Sequence, residues 1–143
     1  MDATLSSMDS TRHSYIAVID DDESLCRSMS RLLRAASFHP ITYPSAEAFL
    51  EDSKRPTFDC LVLDIQLQGM SGLDLRRRLS AVKDATPVVF ITAHDDPAVQ
   101  ALAETSGCVG YFRKTDAGAD VLAAIRRSIG AEDPDGSRSL ERT

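Results

Sequence analysis

The sequence predicts an α/β protein, a doubly wound parallel sheet with helices on both faces. Three observations carry this expectation. Short β-rich runs alternate with segments of helical periodicity; three of those runs are nearly continuous in apolar residues, as strands covered on both faces are; and the alternation repeats as five βα units. Right-handed crossovers fold such a chain into a three-layer sandwich. Its site then lies beyond the carboxyl ends of the strands, where strand order reverses.

Taken in order, YIAVID (Tyr15 to Asp20) reads as the first strand, and Leu25, Met29, Leu32, Leu33 and Ala36 recur at helical spacing behind it. HPITY (His39 to Tyr43) is the second strand, followed by a short helix in SAEAFLEDS. DCLVLD (Asp59 to Asp64) is the third, followed by a helix in SGLDLRRRLSA. PVVFIT (Pro87 to Thr92) is the fourth. The helix after it is bracketed by Asp96 as N-cap, Pro97 at the first helical position and Gly107 as C-cap. GYFRK (Gly110 to Lys114) is the fifth strand, and Val121, Leu122, Ile125 and Ile129 mark the last helix. Residues 14–130 thus form one domain. Residues 1–13 and 131–143 are polar and aperiodic, which predicts flexible tails, and Met8 offers an alternative start.

A length of 143 residues, 43% of them hydrophobic, suits one core. No apolar run approaches the roughly 18 residues that span a bilayer, and the opening MDATLSSMDSTRHS lacks the basic and apolar regions of a secretory signal; a cytoplasmic protein without membrane contact is expected. Cys26, Cys60 and Cys108 are odd in number and far apart, with no CxxC pair, so neither a disulfide framework nor a zinc site is suggested. A net charge of -6 disfavours direct DNA binding, because contact with phosphates needs a positive surface, and leaves proteins and cations as partners.

The predicted strands end in polar residues: Asp20 and Asp21 on the first, Asp64 on the third, Thr92 on the fourth and Lys114 on the fifth. Each alone is unremarkable. Asp22 and Glu23, which continue the acidic run, suit the N-terminus of the first helix, where acids cap free N–H groups. The fold, however, brings the five strand-end residues to one rim of the sheet. Two carboxylates about 4 Å apart repel by roughly 4 kcal/mol at an effective dielectric of 20, so Asp20, Asp21 and Asp64 need a cation to stay ionised together. An all-oxygen donor set with few carboxylates fits Mg²⁺; the EF-hand loop that would suit Ca²⁺ is absent. Phosphoryl oxygens can bridge to such an ion while Lys114 and Thr92 take the remaining charge, and Asp64 can attack phosphorus to become an acyl phosphate.

From about Tyr15 to Ile129 this pattern resembles the receiver domain of two-component response regulators, similar to the receivers of nitrogen-fixation and LuxR-type regulators. The motifs that carry the resemblance are IDDDES, LVLDIQLQGMSGLDL, VVFITAH and GYFRK. It implies a (βα)5 flavodoxin-like fold with strand order 2-1-3-4-5. It also implies that Asp20 and Asp21 are metal-binding acids, Asp64 the phosphorylated residue, Thr92 a switch hydroxyl, Tyr111 a rotating aromatic and Lys114 the phosphate-contacting lysine. The Gln66 backbone carbonyl completes the metal shell by the same analogy, and the Gln66 and His94 side chains occupy positions that modulate autodephosphorylation.

Two departures from the family stand out. The usual Lys-Pro-Phe is Lys114-Thr115-Asp116 here. A cis peptide costs about 2.5 to 4 kcal/mol without proline, so a trans bond and a shifted loop are expected. Gln68 stands where Met-Pro commonly follows, which predicts a looser loop. Arg27, Arg31 and Arg34 share the helix side opposite the apolar stripe; they are either a docking face for an acidic partner or an ordinary solvated face. The resemblance implies a histidine kinase or histidine phosphotransfer protein as phosphodonor, an unidentified downstream protein, and a monomer or weak dimer. The expected role is that of a stand-alone phosphoacceptor rather than an enzyme. Its fourth helix, fifth strand and fifth helix would change surface on phosphorylation. The alternative is a receiver-like protein-binding module not regulated by phosphorylation. A haloacid-dehalogenase-like phosphohydrolase is disfavoured, because Gln66 stands where that pattern needs a second acid.

Overall fold

The computed structural model describes residues 14–130; the expectations of flexible tails at 1–13 and 131–143 and of a start at Met8 fall outside the described residues. Strands β1 (Tyr15–Ile19), β2 (His39–Tyr43), β3 (Cys60–Asp64), β4 (Val88–Thr92) and β5 (Gly110–Arg113) alternate with helices α1 (Glu23–Ala35), α2 (Ala46–Glu51), α3 (Gly72–Ala81), α4 (Pro97–Thr105) and α5 (Ala117–Gly130). A 3₁₀ turn, Lys114–Asp116, joins β5 to α5. All strand pairs are parallel and the order is 2-1-3-4-5, as expected.

Alternation along the strands sends side chains to two separate apolar layers. Ile16 and Val18 of β1, Val62 of β3, and Val89 and Ile91 of β4 pack with Met29 and Leu33 of α1 and Val121, Ala124 and Ile125 of α5. Ala17, Ile19, Leu61, Leu63, Val88 and Phe90 face the other way, onto Phe49 of α2, Leu75 and Leu79 of α3 and Ala103 of α4. β1, β3 and β4 are therefore covered on both faces, which explains their nearly unbroken apolar sequences. Each large side chain fully buried in these layers contributes about 1.5–3 kcal/mol. Leu25, Leu32, Leu122 and Ile129 sit at the margins and are only partly buried, so the helical stripes are narrower than the sequence pattern suggested.

Helix starts follow the capping chemistry. Asp22, Ser45, Ser71 and Asp96 accept from the backbone N–H groups of Leu25, Ala48, Asp74 and Ala98 respectively, each cap contributing about 1 kcal/mol. Pro97 opens α4 as expected. Its C-cap is Ser106, and Gly107 follows with φ +86°, a left-handed conformation suited to glycine. The Lys114–Thr115 bond is trans, as expected for a chain lacking proline there. Among the described residues, no helix is long and apolar enough to cross a membrane.

The loop after β3 is held more firmly than Gln68 led one to expect. Glu47 of α2 accepts from the Met70 N–H at 2.8 Å, Leu67 is buried, and the Gly72 N–H donates to the Ile65 carbonyl at 3.1 Å. Gly72 starts α3 against the end of β3, where an added Cβ would lie 2.3 Å from the Asp64 carbonyl oxygen. Alanine is the better helix former by about 1 kcal/mol, but this clash is with backbone and cannot be relieved by a rotamer. Gly72→Ala is therefore expected to lose about 1–3 kcal/mol in urea denaturation; a stabilised variant would show that the α3–β3 approach is looser than described.

Candidate functional site

The ladder continues one residue past β1, where the Asp20 N–H donates to the Tyr43 carbonyl, so Asp20 holds a fixed place at the strand's carboxyl end. Asp64 closes the central strand β3, Thr92 closes β4, and the 3₁₀ turn after β5 carries Lys114. The Lys114 Nζ lies 2.9 Å from Asp20 Oδ2 and 3.2 Å from Asp64 Oδ2. Residues separated by 94 and 50 positions thus meet at one point. Asp20 and Asp64 are 1% and 2% exposed, while Asp21 stands open to solvent beside them. Carboxylate oxygens of the three acids lie within 4.8 Å of one another.

The carboxylates are partly satisfied by backbone. The Asp22 N–H donates to Asp20 Oδ1 at 2.8 Å, and the Gln66 N–H donates to Asp64 Oδ1 at 2.9 Å. Asp20 Oδ2 is different. It is buried and close to the Lys114 charge, yet it makes no hydrogen bond, because the ammonium donates to Oδ1 instead. Burial, with the Asp64 charge adding to it, pushes the Asp20 carboxyl up to about 6 against the Asp22 and Lys114 hydrogen bonds. Burial opposes the Lys114 cation, but the hydrogen bond it donates to Asp20 and the Asp64 and Asp20 charges outweigh it and raise its pKa.

These features fit a hard dication. The donors are all oxygens, one buried oxygen lacks a hydrogen bond, and three carboxylates with one ammonium leave a formal charge of about -2. Cys26 sits near this pocket, with Sγ 3.4 Å from the Asp20 carbonyl oxygen, but burial first and then the Asp20 charge push its thiol up to about 11. It offers neither a thiolate ligand nor a nucleophile at neutral pH.

The residues expected to act as a switch, Thr92 and Tyr111, lie on the Phe90 side of the sheet. Thr92 follows Phe90 in the alternation of β4 and is fully buried on that side. Its hydroxyl approaches the Gln66 side-chain oxygen at 3.2 Å and the His94 carbonyl at 2.8 Å, and accepts from the His94 N–H at 3.2 Å. Tyr111 pairs in register with Phe90 and packs on the same layer. Its hydroxyl is buried, with the Asp96 backbone among the polar groups that act on it. Arg27, Arg31 and Arg34 are all exposed on α1. Arg27 reaches Glu23 at 3.9 Å, and all three line a groove of about 330 Å³ with Cys26, Ser30 and Thr42.

Two supporting residues carried no sequence signal. Glu47 is an ordinary acid of a short helix until the fold brings Met70 to it, and the role of Gly72 depends on a strand that ends eight residues earlier.

Fold and site define a class: parallel α/β proteins that gather an acidic cluster and one lysine at the sheet's carboxyl rim. Comparison with known proteins names the family. Residues 16–126 match the response regulator receiver domain, and the chain belongs to that family. It is 34% identical over 120 residues to the response regulator protein TodT of Pseudomonas putida, covering 84% of this chain and 53% of that protein. It is 30% identical over 124 residues to the transcriptional regulatory protein FixJ of Bradyrhizobium diazoefficiens, covering 87% and 60%. The chain thus spans about half the length of the curated relatives it matches. A solved structure described as a BeF3-activated DrrB receiver domain is 26% identical with a TM-score of 0.74, covering 82% of this chain and 98% of that one.

The raised Asp20 carboxyl has a stability consequence. A folded-state carboxyl pushed up to about 6, against 3.8 for a free aspartate, means the folded metal-free protein binds the extra proton between those values, so stability falls as pH rises from about 4 through 6. Asp20→Asn lacks that ionisation. Its stability relative to the parent chain, measured by denaturation in chelator, should rise by about 1–3 kcal/mol from pH 4 to pH 7.5 and level off above; a difference independent of pH would contradict the burial argument.

Proposed function

We propose that this chain is a phosphoacceptor in a two-component phosphorelay, accepting a phosphoryl group on Asp64 from a histidine kinase or a histidine phosphotransfer protein. One observation carries the reading: Lys114 bridges Asp20 and Asp64 beside Asp21, while the buried Asp20 Oδ2, ion-paired to that lysine, accepts no hydrogen bond.

Mg²⁺ would be held by Asp20, Asp21, Asp64 and the Gln66 backbone carbonyl; when bound, it neutralises the carboxylates and offers a positive site for phosphoryl oxygens. Asp64 supplies the nucleophile. A carboxylate oxygen forms a bond to phosphorus as the phosphorus–nitrogen bond of the donor phosphohistidine breaks, and the imidazole leaves with that electron pair. Lys114, already charged and oriented by Asp20, takes up negative charge on the transferred group. Thr92 then donates to a phosphoryl oxygen, and the surface formed by α4, β5 and α5 presents the change to a downstream protein.

The chain acts as a signalling phosphoacceptor and at most slowly hydrolyses its own acyl phosphate, in a cytoplasmic setting where such donors operate. Arg27, Arg31 and Arg34 form the face that meets an acidic donor domain, since none lies at the carboxylate site and all are exposed. Direct DNA contact has no part in this reading, given the net charge of -6. The trans Lys114–Thr115 bond and its 3₁₀ turn give some support to a second reading, a receiver-like binding module that is not phosphorylated.

Incubation with acetyl phosphate and Mg²⁺ followed by intact-mass measurement separates the two. The first reading predicts one added phosphoryl group, labile in base, that is lost in Asp64→Asn or when the metal is chelated. No added mass on the parent chain would leave the binding-module reading.

A further inference from the structure

Gln66 touches both ends of the switch. Its backbone N–H is fixed to the acceptor through the 2.9 Å bond to Asp64 Oδ1, and its side chain reaches the Thr92 hydroxyl at 3.2 Å. We propose that the Gln66 carboxamide is a latch that holds the Thr92 hydroxyl away from the acceptor and so sets the threshold for switching. This rests on the phosphoacceptor reading above and deepens it.

Thr92 has a single hydroxyl proton, and both the Gln66 side-chain oxygen and the His94 carbonyl stand within reach of it. The His94 bond is the shorter, at 2.8 Å; with the proton directed there, turning the carboxamide so that its NH₂ faces Thr92 satisfies every partner. With the carboxamide oxygen facing Thr92, the Gln66–Thr92 bond must break before the hydroxyl can donate to a phosphoryl oxygen on Asp64; with the NH₂ facing it, the bond holds the hydroxyl oxygen in place while the proton stays on the His94 carbonyl. Thr92 is fully buried, so water does not replace the lost partner. Gln66 itself is exposed, which lets the latch open without disturbing the core. The latch is a positioning device: it competes for Thr92 and supplies nothing to the transfer itself.

A double-mutant cycle on the full chain tests this, with beryllium fluoride as the phosphoryl mimic and binding followed in the presence of Mg²⁺. Gln66→Ala removes the carboxamide, and Gln66→Met keeps its length without its hydrogen bonds. Both are expected to tighten beryllium fluoride binding about threefold to tenfold, the range for loss of one competing hydrogen bond. In a Thr92→Val background the same substitutions are expected to have no effect, because the latched group is gone. Unchanged affinity in both single variants, or equal tightening with and without the Thr92 hydroxyl, would overturn the latch while leaving the phosphoacceptor reading intact. Tightening by Gln66→Ala but not by Gln66→Met would also overturn it, since bulk rather than hydrogen bonding would be responsible. Failure of the parent chain to bind beryllium fluoride with Mg²⁺ would remove the reading on which the latch rests.

Discussion

Two carboxylates taken almost entirely out of water beside a single lysine form the constraint on which this molecule depends. Burying Asp20 and Asp64 is costly unless positive charge is close, and Lys114 supplies one unit to a cluster carrying three negative groups. The parallel sheet makes this possible. Because β1, β3 and β5 run in one direction, residues at or just beyond their carboxyl ends converge on one rim, although they are far apart in sequence. An antiparallel arrangement of the same strands would scatter them to opposite edges.

Holding the carboxylates at that rim falls to backbone as much as to side chains. The N–H groups of Asp22 and Gln66 orient Asp20 and Asp64, the Met70–Glu47 bond ties down the loop beyond β3, and Gly72 allows α3 to press against the Asp64 backbone. Such preorganisation matters because a site already arranged need not be reorganised when charge arrives. The layer around Thr92 and Tyr111 is bonded differently. Thr92 is shared among groups from two loops, and the Tyr111 hydroxyl is buried on the same side of the sheet.

Much of this was legible in the residues. The runs around Val62 and Val89 announce doubly covered strands, Asp22 and Asp96 announce helix starts, and Asp20, Asp64 and Lys114 meet where a doubly wound topology requires. Strand ends differed by one residue at Asp20 and Lys114, because each side chain lies just past the last paired residue of its strand. What was hidden is tertiary in origin. Nothing local distinguishes Gly72 or Glu47, whose roles come from an approaching strand and loop, and the direction of the Thr92 hydroxyl follows from the alternation of β4 and the Gln66 rotamer. Gln68 pointed to a loose loop because the anchor that tightens it lies on another helix.

Whether the acidic rim is a true dication centre can be measured without any phosphodonor. Manganese, which favours the same oxygen donors, broadens amide resonances close to where it binds. Titrating it at substoichiometric amounts into isotopically labelled protein is expected to erase the signals of residues around Asp20 to Asp22 and Asp64 to Gln66 first, with excess magnesium restoring them. Broadening spread evenly over the acidic surface, or centred on any other cluster, would contradict the account.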